Sequence, residues 1–297
     1  MTDSAIEGFL TRVTEWASGE EDVRAVLLMG SHARTVRPSD EWSDLDIVLV
    51  ADHPERILAD TDWLERLAPV LLTFLEHSFL PGVVERRVLF DSGLAVDIVP
   101  FPAAVARAMA RADLPDGIAN ALGRGVRVLA DKEGFRDLLA NLPPVPSYVP
   151  PTALEFSERV ADFWFHTLWT AKQLWRGELW AARMCCDGRC RELLLTMVGW
   201  HHRAVYGETC DVWFDGRFLE QWSDAHTRSA LDATIGGPDS ASVWRALHAM
   251  GQLYRSLGSE TAERLGYDYP RAVDADVCRL VGDRRSPAAR RQERALP

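Results

Sequence analysis

Apolar residues open the chain at helical spacing: Ile6, Phe9, Leu10, Val13 and Trp16 share one face of an amphipathic helix that ends near Gly19. The period then shortens. Val23 to Met29 reads as a strand halted at Gly30-Ser31, and Leu45 to Val50 as a second strand entered through Ser43-Asp44. A helical segment carrying Ile57, Leu58, Trp63, Leu64 and Leu67 follows. Beyond it, the runs VVERRVLF and LAVDIVPF flank Asp91-Ser92-Gly93, a hairpin signal. After another short helix, Val126 to Ala130 predicts an additional or edge strand, and a helix runs to about Leu142. The first domain, residues 1–142, is therefore mixed α/β.

The segment from Asn141 to Pro151 holds five prolines and cannot continue a helix, so residues 143–151 read as a stiff linker. Beyond it, Thr152 and Glu155 form a capping-box pattern, and helical periodicity runs to about His202. A further helix starts after Pro238-Asp239-Ser240 and carries Val243, Trp244, Leu247, Met250 and Leu253. Residues 152–282 thus form a mainly helical second domain. The end of the chain, 283–297, has no apolar face and reads as a disordered tail. The expected fold class is α+β: a mixed sheet with flanking helices, then a mainly helical C-terminal domain.

The formal charge of −11 disfavours a nucleic-acid partner, because phosphate recognition needs clustered Lys and Arg. An acidic protein instead attracts cations. No stretch reaches transmembrane length without charges, and the N-terminus lacks a signal-peptide pattern. Five cysteines, with no CxxC pair among them, read as reduced thiols rather than a zinc site. The cytoplasm is the expected compartment, and a monomer is compatible with the sequence.

Three acids carry the chemistry. Asp44 and Asp46 flank Leu45 at the start of a strand, so both project to one side while Leu45 and Ile47 face the core. Adjacent carboxylates repel unless a cation compensates them, and an all-oxygen set suits Mg²⁺, which keeps water and substrate phosphates as further ligands. Gly30 lets backbone approach those phosphates, and the Ser31 hydroxyl can bond their oxygens. Asp97 has the parity opposite to Val96 and Ile98, which turns it toward the same cleft. There it serves as proton acceptor, as metal ligand or as both; the bland reading pairs it with Arg86 or Arg87.

A Gly-Ser turn, an Asp-x-Asp strand and a third strand-borne acid resemble the nucleotidyltransferase superfamily that includes DNA polymerase beta and antibiotic nucleotidyltransferases. Over the full chain, MGSHART, SDLDIVLV, VDIVPF, VLADKEG and FWFHTLWTAKQLWRGELWAARM resemble the aminoglycoside 6-adenylyltransferase, or streptomycin adenylyltransferase, family. That resemblance implies an N-terminal nucleotidyltransferase domain that moves AMP from ATP to a hydroxyl of a cationic antibiotic such as streptomycin, releasing pyrophosphate. It assigns Asp44, Asp46 and Asp97 to metal and catalysis, Gly30 and Ser31 to the phosphates, and Lys172 to the triphosphate. His32 stands where relatives often carry arginine, which leaves Arg34 to supply the positive charge. The competing readings are nucleotidyl transfer to another small molecule, a protein or an RNA end, and a nucleotide-binding regulator without turnover.

Overall fold

The computed structural model describes residues 2–78, 82–109, 118, 122–140, 148–207 and 210–283. The chain divides into two compact units, Met1–Pro146 and Ser147–Pro297. Most of the expected linker and nearly all of the expected tail lie outside the described residues.

Helix α1 (Asp3–Gly19) opens the first unit and buries the five apolar positions of its stripe. A six-stranded sheet follows: β1 (Val23–Met29), β2 (Leu45–Ala51), β3 (Val70–His77), β4 (Val84–Phe90), β5 (Ala95–Pro102) and β6 (Arg127–Asp131). Its spatial order is β3-β4-β5-β2-β1-β6. Only the β2–β5 pair is parallel among these neighbours, so the sheet is mixed.

One face packs on α1 and on two short helices, α2 (Pro54–Ala59) and α3 (Asp62–Glu65), through Leu45, Ile47, Leu49, Val96 and Ile98. The opposite face has a smaller apolar cluster, in which Leu27 and Val50 meet Ala103 of α4 (Ala103–Met109) and Phe135 of α5 (Phe135–Ala140). Alternation places Asp46 and Asp97 on this second face, beyond the part that the cluster covers.

Two local expectations change. The helical segment expected around Ile57 to Leu67 is divided at Asp60-Thr61, where the Asp60 carboxylate accepts from the Asp62 amide at 2.9 Å and breaks the ladder. Strand β3 goes unseen in the sequence because VLLTFLEH does not alternate. It is an edge strand, and Leu71, Leu72, Phe74 and Leu75 are all exposed.

The second unit begins with α6 (Ala153–Arg176), whose capping box is closed in both directions: Glu155 N donates to Thr152 Oγ1 at 3.2 Å, and Thr152 N to Glu155 Oε2 at 2.7 Å. Gly177 ends the helix at φ +78°, a left-handed cap that favours glycine. The unit continues through α7 (Leu179–Met184), a π-helical turn (Cys185–Cys190) and α8 (Arg191–Tyr206). Short helices α9 (Leu219–Trp222) and α10 (Ala225–Asp232) precede the long α11 (Ser240–Leu265) and α12 (Arg271–Asp283).

Aromatic packing dominates the core of this unit. Phe163 stacks on Tyr254 with centroids 3.7 Å apart, and the Trp164 indole N–H donates to Tyr269 Oη at 3.1 Å. Of the four tryptophans on α6 and α7, Trp164 is buried and Trp180 is exposed. Among the described residues, no helix is long and apolar enough to cross a membrane.

Candidate active site

Strand β1 ends at Met29, which is paired with Asp46, and the chain turns sharply through Gly30-Ser31-His32. Gly30 has φ +66°, and a Cβ added there would lie 1.8 Å from Asp46 Oδ2. Only glycine satisfies both the backbone and the space. A second glycine that sequence reasoning passed over, Gly125 at φ +142°, supports the loop from behind: a Cβ there would meet the Ala33 carbonyl oxygen at 2.6 Å. The loop is held further by Ser39 N donating to Ser31 O at 3.0 Å.

On β2, Leu45 and Ile47 are buried while Asp44 and Asp46 are only half-buried, the parity expected of a strand with one wet face. The parallel register sets Asp46 directly beside Asp97. Antiparallel β4 adds Arg87 opposite Asp97, and its Nη1 lies 2.9 Å from Asp97 Oδ2. The same guanidinium also holds Glu85 Oε1 at 2.8 Å, and it pairs with Glu76 of β3. Arg86, one residue away, points to the opposite face and bonds the Leu58 carbonyl and Thr73 Oγ1.

Burial pushes the Asp97 carboxyl up to about 6. Arg87 opposes that shift, while the negative charges of Asp44, Glu85 and Glu76 reinforce it. His32 is held below the usual imidazole range by burial, and among the described residues its Nε2 has no hydrogen-bond partner. Arg34 donates through Nε to the Arg37 carbonyl. Lys172 belongs to the second unit, as an exposed residue of α6.

Gly30, Ser31, Asp44, Asp46 and Asp97 thus occupy one corner of the sheet, and Arg87, Glu85 and Glu76 join them. The hairpin turn carries the signal for Arg87: counting outward from Asp91-Ser92-Gly93 pairs Leu89 with Ala95, Val88 with Val96, and Arg87 with Asp97. Glu76 leaves no such trace, because β3 itself is silent in the sequence.

The family model described as streptomycin adenylyltransferase matches residues 5–282. The chain belongs to this family. Membership makes it a nucleotidyltransferase enzyme. An aminoglycoside 6-adenylyltransferase of Bacillus subtilis (strain 168) is 24% identical over 263 residues, 86% of this chain and 89% of that protein. One from Campylobacter jejuni is 24% identical over 268 residues, 87% of this chain and 88% of that protein. Among solved structures, an aminoglycoside 6-adenyltransferase from Bacillus subtilis is similar, with a TM-score of 0.44 and 20% identity over 95% of this chain and 98% of that one.

Among the described residues, no three His, Cys, Asp or Glu side chains converge to hold a metal ion. The donor set nevertheless fits Mg²⁺, which is commonly bound by one or two carboxylates together with substrate phosphates. Asp44 and Asp46 supply such a pair, and the missing Cβ at Gly30 keeps the space beside Asp46 open.

Proposed function

We propose that the protein transfers AMP from ATP to a hydroxyl of an aminoglycoside, with streptomycin the first acceptor to test, and releases pyrophosphate. The observation that carries this reading is the register that sets Asp46 between Gly30 and Asp97 in a chain matched over nearly its full length to an adenylyltransferase family.

In this reading Asp44 and Asp46 hold Mg²⁺. When bound, the ion supplies Lewis-acid stabilisation of charge at the α-phosphate and on the departing pyrophosphate. Gly30 lets the backbone approach the triphosphate, Ser31 bonds its oxygens, and Arg34 adds positive charge nearby. As the acceptor oxygen bonds the α-phosphorus and the bond to pyrophosphate breaks, Asp97 takes the hydroxyl proton. Its carboxyl, raised to about 6, suits proton transfer near neutral pH better than an ordinary aspartate. Arg87 tempers that rise, because a guanidinium shared with Glu85 and Glu76 neutralises Asp97 only in part. The resemblance assigns Lys172 to the triphosphate, and Lys172→Ala tests that assignment separately.

The experiment is an assay of the purified protein with ATP, Mg²⁺ and an aminoglycoside panel, following pyrophosphate and an acceptor mass increase of one AMP. Product with streptomycin supports the full reading. Product with a different acceptor revises the substrate. ATP binding without product from any acceptor in the panel overturns the proposed transfer to an aminoglycoside.

A further inference from the structure

The five cysteines are free thiols, and three of them gather on the π-helical turn Cys185–Cys190 of the second unit. A π-helix bonds residue i to residue i+5, which brings side chains five apart onto one face. Cys185 and Cys190 have that spacing. In an ordinary α-helix, five steps rise about 7.5 Å, already beyond the roughly 7 Å Cα separation that a disulfide tolerates. The local change of helix type therefore permits a pairing that an unbroken α-helix would prevent.

The two thiols have unequal surroundings. Cys185 is half-buried, with its Sγ 4.0 Å from the His166 carbonyl oxygen, whereas Cys190 is fully buried with its Sγ 3.8 Å from Thr170 Oγ1. Cys186 is also buried but lies one position round the helix from the pair.

The geometry points to a peroxide-reactive dithiol, with Cys185 as the attacking thiol and Cys190 as the resolving one. The Cys185 sulfur attacks one peroxide oxygen, the O–O bond breaks, and water leaves once the departing oxygen is protonated, so Cys185 becomes a sulfenic acid. The Cys190 sulfur then bonds Cys185 Sγ, the S–O bond breaks, and a second water leaves. Two thiols are oxidised to one disulfide while one peroxide is reduced to two waters.

The charge distribution favours this order. A hydrogen bond from Cys190 lowers the Cys185 thiol to about 6, with Thr170, His166 and Arg189 lowering it further, whereas burial raises Cys186 to about 12. Cys190 is raised by donating that bond and by burial, while burial raises Cys210 and Cys278 as well.

The test treats the full chain with hydrogen peroxide at pH 7, blocks remaining thiols with N-ethylmaleimide, and maps tryptic peptides. Cleavage at arginine separates MCCDGR from CR, so a disulfide to Cys190 joins two peptides, and fragmentation between Cys185 and Cys186 identifies the partner. The expected result is a Cys185–Cys190 cross-link, reversed by dithiothreitol, forming at least about fivefold faster than oxidation of Cys210 or Cys278. That factor combines the larger thiolate fraction of Cys185 with the lower intrinsic nucleophilicity of a low-pKa thiol. In Cys190→Ser, dimedone should trap a sulfenic acid on Cys185. Equal or faster oxidation of Cys210 or Cys278, a cross-link through Cys186, or Cys185 advancing to sulfinic acid beside an alkylatable Cys190 would each overturn the assignment. The peptide map of the unmodified sequence decides the matter even if the serine variant fails to fold.

Discussion

Asp97 in the first unit and Asp274 in the second each meet an arginine on a neighbouring element, but the two guanidinium groups are used differently. Arg87 is divided among Asp97, Glu85 and Glu76. Arg255 grips Asp274 with two nitrogens, at 2.6 and 2.5 Å, and Tyr269 Oη adds a third bond at 3.1 Å. A carboxylate with a dedicated fork of donors is a finished structural element. One that shares a single cation with two other acids keeps an unfavourable charge, and this is the condition in which a proton or a metal ion gains most by binding.

The largest effect that would sharpen the contrast lies at the shared end. Asp46→Ala, or Asp44→Ala, should lower nucleotidyl transfer by at least about 10³-fold, because the cation that stabilises the departing charge loses its anchor. Circular dichroism and the melting temperature should change little, since both side chains are half-exposed. Mg²⁺-dependent turnover retained in either folded variant would mean that this pair of carboxylates does not anchor the cation.

At the dedicated end the expectation reverses. Asp274→Ala should cost about 3 kcal/mol of stability in denaturant unfolding, the low end for breaking a buried pair because Arg255 keeps partial contact with water. Transfer per folded molecule should be unchanged. A comparable loss of activity with no loss of stability would mean that Asp274 belongs to the chemistry instead.

Gly30→Ala probes the space beside Asp46 rather than its charge. The strained backbone and the clash with Asp46 Oδ2 should displace the carboxylate by a fraction of an ångström or more, worth about 10²-fold in turnover. Gly93→Ala is the matched control. Gly93 also has a positive φ, +83°, but its Cβ would meet nothing within 4 Å, so about 1 kcal/mol of stability should go and activity should stay. Equal losses of activity in both variants would make backbone strain, not the Asp46 cradle, the cause.

Much of the first unit's corner was legible because strands with one buried face advertise their parity. Leu45 and Ile47 against Asp44 and Asp46, and Val96 and Ile98 against Asp97, give the wet face directly. Arg87 was legible in principle from the hairpin count. Glu76 was not, because an edge strand with both faces exposed has no alternation to read. The π-helical turn was equally hidden: CCDGRC fits a helical pattern, and one extra residue in a turn does not alter the apolar stripe on either side. In the second unit, the helix starts at Thr152 and Asp239 were plain, since a cap is written in two or three residues. The pairing of Arg255 with Asp274 was not, since it depends on how two helices pack.

A smaller effect lies in the second unit's histidines. His202 is fully buried. Its Nδ1 meets the Val198 carbonyl at 3.0 Å, and its Nε2 lies 2.9 Å from the Asp224 amide nitrogen and 3.1 Å from Asp224 Oδ2. Burial holds its pKa below the ordinary value, with the nearby Asp224 carboxylate only partly offsetting that. Stability from this group is therefore complete above about pH 6.5, the ordinary histidine value, and declines as pH falls below it, because the unfolded chain takes up a proton that the folded ring resists. Asp97 acts in the opposite sense over the same range, since its raised carboxyl binds a proton more readily folded than unfolded. The two are separated by comparing unfolding free energies at pH 7.5 and 5.5 in the parent and in His202→Gln. The parent should lose more stability on acidification than the variant, and an equal loss in both would show that the buried ring carries no pH dependence.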